Sequence, residues 1–166
     1  MKWLIDGYNV IRRDADLRAA EAESLEAGRR ALLARLAGHV RASSDRFTVV
    51  FDGAPVPGPA MAPGRLEVVF SRPPLKADDV LVRLARREGA GSVVVTSDRA
   101  VADAARRARC AVVGAEAFLA RLGSAADPEN ETDLPARPVK RGNPRRLSKK
   151  QRAAARALRR LDPPRG

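Results

Sequence analysis

Trp3-Leu4-Ile5-Asp6-Gly7 opens the chain with an apolar run that breaks on an acid and a glycine. The same ending recurs in Thr48-Val49-Val50-Phe51-Asp52 and in Val93-Val94-Val95-Thr96-Ser97-Asp98. Short runs rich in β-branched residues and bounded by turn formers read as strands buried on both faces. Such strands belong to parallel sheets covered by helices, and ligands bind where the carboxyl ends of the strands form an edge. Three strands ending in aspartate set three carboxylates on one rim. Like charges gathered in a cleft repel, so the pattern points to a divalent cation held among them.

The remaining elements fit that frame. Gly7-Tyr8-Asn9 reads as a turn, followed by helical periodicity. Ser24 caps a helix whose apolar face is Leu25, Leu32, Leu33, Leu36 and Val40, ended by Ser43-Ser44-Asp45. Gly53 to Gly64, rich in Pro and Gly, reads as an irregular loop near the mouth of the site. Leu66 to Phe70 is a third strand, and after Pro73-Pro74 a helix begins near Asp78 and stops at Gly89 and Gly91. Asp98 opens another helix, Ala111 to Val113 is the last strand, and Glu116 to Leu122 is a short helix. Strands alternating with helices predict a three-layer α/β fold with a mostly parallel sheet over residues 1–123.

Beyond Gly123 the composition shifts. Ser124 to Asp133 is acidic and polar, and Pro135 to Pro144 is basic with repeated prolines, so residues 124–166 read as a flexible linker and a basic C-terminal helix. Ser148 and Gln151 have capping-box spacing, and the helix they open is basic around a narrow stripe of Ala154, Leu158 and Leu161. So short and lightly apolar a helix is expected to order fully only on a polyanion. The chain has 166 residues and a net charge of +12. Up to Gly123 there are 20 Lys and Arg against 15 Asp and Glu, and beyond it 12 against 5, so the basicity concentrates in the tail. That balance favours a nucleic-acid partner. Cys110 is the single cysteine, which excludes an internal disulfide, and it reads as a packed thiol. No run is long enough for a signal peptide or a membrane span, so a cytoplasmic protein without membrane association is expected.

The chemistry rests on acids. Asp78-Asp79 begins a helix directly after the third strand, and a parallel strand there brings that helix start to the same rim. An aspartate at a helix start is an ordinary cap worth about 1 kcal/mol, and Asp79 or Asp98 could do only that. Two adjacent acids exceed what capping requires, and Asp6 and Asp52 read as preceding no immediate helix. Mg²⁺ prefers oxygen ligands and is commonly held by one or two carboxylates plus substrate phosphate. Asp6 is the best direct ligand, followed by Asp78 and Asp98. Asn9 can orient a phosphate or a water, Ser97 can do so or cap a helix, and Asp52 is an outer ligand or a turn former. Tyr8 can stack on a base or pack beneath the loop. Arg72, Lys76 and Arg99 flank the acids as candidate phosphate contacts. Lys140, Arg141, Arg145, Arg146, Lys149, Lys150 and Arg152 are candidate RNA contacts in the tail.

Several classes are disfavoured. The first strand is not followed by the Gly-x-Gly-x-x-Gly of a dinucleotide-binding fold, and Tyr8 stands where a haloacid-dehalogenase-type phosphatase needs a second aspartate. A receiver domain needs a lysine at the end of the last strand, where this chain has Val113-Gly114. His39 is the only histidine and reads as a surface residue, which argues against metal-free histidine acid–base chemistry.

Ile5-Asp6-Gly7-Tyr8-Asn9-Val10-Ile11 resembles the opening signature of the NYN domains, a PIN-like nuclease group. Phe51-Asp52, Ala77-Asp78-Asp79, Thr96-Ser97-Asp98 and Glu116-Ala117-Phe118-Leu119 are similar to the YacP-type branch in order and spacing. The resemblance covers residues 1 to about 122. It implies a five-stranded PIN-like sandwich and an endoribonuclease dependent on Mg²⁺ or Mn²⁺, with Asp6, Asn9, Asp78 or Asp79, and Asp98 in the active site. Some members of the branch are associated with cleaving mRNA on ribosomes, and the substrate expected for this chain is single-stranded RNA. Related nucleases often carry a further acid four residues after the Asp98 position, where this chain has Ala102; Asp103 is one residue on, rotated by about 100°. The rival reading is a non-catalytic RNA- or ribosome-binding module that keeps the fold.

Overall fold

The structure, a computed structural model, describes residues 1–53, 64–124 and 148–161. Most of the Gly53–Gly64 loop, the linker, and Lys140, Arg141, Arg145 and Arg146 lie outside those residues. Five strands form one sheet: β1 (Lys2–Asp6), β2 (Arg46–Phe51), β3 (Leu66–Phe70), β4 (Ser92–Val95) and β5 (Ala111–Val113). Their order is β3-β2-β1-β4-β5 and every pairing is parallel. The register sets Asp6 beside Val50 and Ile5 beside Val95, so Thr96 comes level with Asp6.

The helices are α1 (Gly7–Ile11), α2 (Ala15–Glu23), α3 (Leu25–Ala42), α4 (Ala77–Glu88), α5 (Arg99–Arg107), α6 (Ala115–Ser124) and α7 (Lys149–Leu158), with a 3₁₀ turn at Arg159–Leu161. Strand alternation sorts the core into two layers. Trp3, Ile5, Phe47, Phe51 and Val95 face Leu32, Leu36, Phe118 and Leu122. Leu4, Val50 and Val94 face Ala77, Leu81 and Ala85 of α4 and Val101 and Ala105 of α5. Trp3, Phe47, Phe51 and Phe118 are fully buried, each worth roughly 1.5–3 kcal/mol of apolar transfer. Cys110 is buried in the second layer, where its thiol donates to Ala85 O at 3.3 Å. No helix among the described residues is long and apolar enough to cross a membrane.

Two glycines have geometric reasons. A Cβ at Gly7 would overlap the Phe51 ring, so α1 can leave β1 at this close approach only without a side chain. Gly89 closes α4 at φ 60°, in the left-handed region.

The structure differs from the sequence reading at three places. Gly7-Tyr8-Asn9 is the first turn of α1, and Asp6 is that helix's N-cap, accepting from Asn9 N at 3.2 Å. The helical segment before Ser24 is a separate element, α2, capped by Asp14. Finally, α7 is seated on the domain. Ala157 and Leu161 are buried in the first core layer, with Ala154 and Leu158 packed beside them. Arg160 donates through Nε to Asp45 Oδ2 at 3.1 Å and through Nη2 to Oδ1 at 2.7 Å. Trp3 Nε1 and the Met1 ammonium donate to the same carboxylate. Burial alone would raise the Asp45 carboxyl, but these donors hold it well below the usual range. The capping box of Ser148 and Gln151 is present, and the tail helix owes its order to apolar packing and this anchor.

Candidate active site

Asp6 ends the central strand and is buried, at 7% exposure. Its Oδ1 caps α1, and its Oδ2 accepts from Thr96 Oγ1 at 3.0 Å. Burial raises its pKa to about 6, against the opposing effect of those two hydrogen bonds and with help from the charges of Asp78 and Asp98. A carboxylate raised chiefly by burial, with two like charges adding to the shift, marks a candidate functional site.

The second wall is built from β2 and α4. Asp52 follows β2 and its Oδ1 accepts from Ser71 Oγ at 2.9 Å and from Ala77 N at 2.6 Å. That carboxylate ties the first residue of α4 to the end of β2, and it fixes where Asp78 stands. Burial raises the Asp78 carboxyl, and the charges of Asp98, Asp52 and Asp79 add to this, with Lys76 opposing. Asp79 faces the helix start instead, its Oδ2 accepting from Lys76 N at 3.0 Å. Of the adjacent pair, Asp78 lines the cleft and Asp79 serves as a cap.

The third wall is the turn from β4 into α5. Asp98 caps α5 through Val101 N at 2.9 Å, while its own N–H donates to Thr96 Oγ1 at 3.0 Å. Thr96 thus binds Asp6 and the backbone of Asp98 with one hydroxyl. Asn9 Oδ1 accepts from Ser97 N at 2.7 Å, locking α1 to the same turn. Ser97 Oγ donates to Glu116 Oε2 at 2.8 Å and accepts from Ala115 N at 3.1 Å, so the hydroxyl joins the turn to the start of α6.

These walls enclose a cleft of about 410 Å³ lined by Asp6, Tyr8, Asn9, Arg12, Arg13, Asp52, Ala77, Asp78 and Asp98. The strand-end acids and Asp78 therefore do share one rim. Arg72, Lys76 and Arg99 are exposed but do not line it. Arg12 and Arg13, absent from the sequence reading, do. The adjacent arginines are visible in the sequence, but only the short helix α1, capped by Asp6, brings them to the cleft. Arg29 was also missed. It is 5% exposed, its guanidinium lies over the Tyr8, Phe51 and Phe70 rings, and it donates to Tyr8 Oη at 2.8 Å and to Asp52 O at 3.2 Å. Asp103 pairs with Arg106 at 2.6 Å outside the cleft. His39 is likewise not part of the lining.

The donor set is oxygen throughout, which suits a hard divalent ion. Among the described residues no group of three or more His, Cys, Asp or Glu is placed to hold a metal ion. An ion that takes one or two carboxylates and completes its shell with water and substrate phosphate is the kind that one or two of Asp6, Asp78 and Asp98 could hold.

A parallel sheet in this order, an acid at the end of its central strand and an asparagine one helical turn later agree with one family. The model of the YacP-like NYN domain matches residues 3–160. The chain belongs to that family. The match runs through α7, consistent with the helix being packed on the core. Two crystal structures of Rae1 (YacP) from Bacillus subtilis, one of them a mutant, are each similar with a TM-score of 0.63 and 27% identity. They cover 74% and 75% of this chain, and 75% and 74% of theirs. The sheet thus has the PIN-like NYN fold. The uncharacterized protein YacP of Bacillus subtilis (strain 168) is 33% identical over 85 residues, a match spanning half of each chain. Membership of the family suggests a nuclease-type, RNA-related function.

Proposed function

We propose that this protein is a metal-dependent endoribonuclease acting on single-stranded RNA. The observation that carries the reading is the convergence of Asp6, Asp78 and Asp98 on one cleft, with the buried Asp6 carboxyl raised to about 6 by burial and by the other two charges. Asp6, Asp78 and Asp98 would hold Mg²⁺ or Mn²⁺. Such an ion supplies activation of a water and stabilisation of charge growing on phosphorus. The chain's own contribution is positioning. Thr96 fixes Asp6 relative to Asp98, Asp52 fixes Asp78, and Asn9 holds the Asp98 turn against α1. Because Asn9 spends its carbonyl oxygen on Ser97 N, only its amide nitrogen remains to meet a phosphate. The exposed basic residues of α7, including Lys149, Lys150 and Arg152, give a second contact to RNA, and mRNA on the ribosome is the substrate to test first. The cytoplasm is the proposed location.

The test is cleavage of an end-labelled unstructured RNA with Mg²⁺, with Mn²⁺ and with excess chelator, for the protein and for Asp6→Asn. Internal cuts that need metal, with a loss of at least about a hundredfold in Asp6→Asn, are expected. Cutting that persists in chelator overturns the mechanism. Metal-independent RNA binding without any cutting would instead leave a non-catalytic RNA-binding module.

A further inference from the structure

α1 ends at Ile11, and the next two residues, Arg12 and Arg13, both reach the cleft. Their side chains are 66% and 48% exposed, so each guanidinium keeps donors for a ligand. Arg13 Nη1 lies 3.1 Å from Glu116 Oε1, and the other oxygen of Glu116 accepts from Ser97 Oγ. Arg13 is therefore braced through α6 to the turn that carries Asp98. Arg12 has a long 3.9 Å contact to Glu21, and its guanidinium lies 5.6 Å from the centre of the Tyr8 ring. Tyr8 itself is rigid. Its hydroxyl accepts from the buried Arg29, and its ring meets Phe51 at 5.2 Å in an edge contact.

A fixed aromatic ring and two exposed guanidinium groups thus stand beside the wall of acids. Arginine matches the geometry of phosphate oxygens, and aromatic faces stack on unpaired bases. We propose that Tyr8, Arg12 and Arg13 form a subsite for one nucleotide of an unpaired strand, flanking the bond to be cut. The two arginines hold its phosphates, and Tyr8 takes its base once Arg12 exchanges the ring for a phosphate. The strand then crosses α1 and the start of α6. This inference rests on RNA being the ligand of the cleft, but not on cleavage.

Binding of a short fluorescent unstructured RNA is measured by anisotropy across a salt series, with chelator present so that no strand is cut. Arg12→Ala/Arg13→Ala should lower the log–log salt slope by about 1.4, at about 0.7 for each phosphate no longer neutralised. Arg86→Ala/Arg107→Ala, which removes two charges from the far ends of α4 and α5, should leave the slope unchanged. Tyr8→Leu should weaken binding about tenfold, while Tyr8→Phe, which keeps the ring, should retain most of the affinity. Direct Mn²⁺ titration of the same variants, in chelator-free buffer without RNA, should match the parent protein, showing that the acids are undisturbed. An unchanged salt slope in Arg12→Ala/Arg13→Ala, or equal weakening by Tyr8→Phe and Tyr8→Leu, overturns the subsite. So does a parent protein that fails to bind RNA. Normal binding with these effects but without any cleavage would sink the nuclease reading and leave the subsite standing.

Discussion

Ionised Asp6 is costly to the fold and necessary to the chemistry. Its pKa rises from 3.8 to about 6 on folding, so ionising it is harder in the native state than in the unfolded chain. The sign follows from linkage: stability present below pH 3.8 is lost as pH rises towards 6 and stays lost above it. The full difference is worth up to about 3 kcal/mol, at 1.36 kcal/mol per pH unit. Asp6→Asn should therefore be more stable than the parent by about 1–3 kcal/mol at pH 7.5, with the gain vanishing near pH 4. Denaturant unfolding at the two pH values checks this. Mn²⁺ affinity of the parent should fall about tenfold per pH unit below about 6, since a protonated carboxyl is a poor ligand. Thermal shifts with added Mn²⁺ across pH 5–8 read that dependence, which Asp6→Asn should lack. The acids themselves were legible in the sequence, because a strand that stops on aspartate is visible in the apolar pattern. Arg29 was not. A guanidinium buried under three rings is hidden in a helix that otherwise reads as amphipathic, and only the packing of α3 against β2 and β3 reveals it.

Among the elements, α4 shows how an acid can serve the site by holding a helix start in place. Asp52 gathers Ser71 Oγ and Ala77 N on one oxygen. Losing that acceptor strands a backbone donor at the start of α4, which costs about 1–2 kcal/mol. Asp52→Ala should therefore destabilise the protein by that amount and reduce cleavage by letting Asp78 drift. Asp103→Ala, whose parent side chain pairs with Arg106 on the surface, should leave cleavage within about twofold, as isolated surface ion pairs carry little energy. Comparable loss of cleavage in both would refute the assignment. The sequence reading weighed Asp52 between outer ligand and turn former, and spacing alone could not choose. The register of β2 against β3 adds what spacing lacks, placing Ser71 and the start of α4 within reach of Asp52. Reading Gly7 as a turn failed for a related reason: the helix it starts is so short that no apolar periodicity marks it.

Across the whole molecule, α7 changes what a deletion experiment means. Composition marks residues 124–166 as a separate tail, yet Ala157, Leu161 and Arg160 complete the core and its edge. The partners of the Arg160 ion pair are 115 positions apart, beyond any local pattern. Removing the tail therefore uncovers part of the first core layer and is a poor test of RNA affinity. Arg160→Ala should cost about 1–2 kcal/mol, reduced from a buried pair because the arginine is 46% exposed. Asp45→Ala should cost more, about 3 kcal/mol, because it leaves Trp3 Nε1 and the Arg160 guanidinium without their shared acceptor. Lys149→Ala/Lys150→Ala/Arg152→Ala, all exposed, should keep the melting temperature and reduce RNA affinity with a shallower salt slope. Calorimetry and anisotropy on the three variants separate anchor from grip.

The strand order also imposes a schedule on biosynthesis. β1 leaves the translating machinery first, yet it is the middle of the finished sheet, with β2 on one side and β4 on the other. At about 5–20 residues per second, the Trp3–Asp6 segment waits several seconds after its own appearance before residues 92–95 exist to cover its second edge. During that interval a strand whose Trp3, Leu4 and Ile5 end fully buried has an open flank. Nascent chains arrested before Ser92 should therefore be far more susceptible to protease and to chaperone capture than chains arrested after the last core helix has emerged.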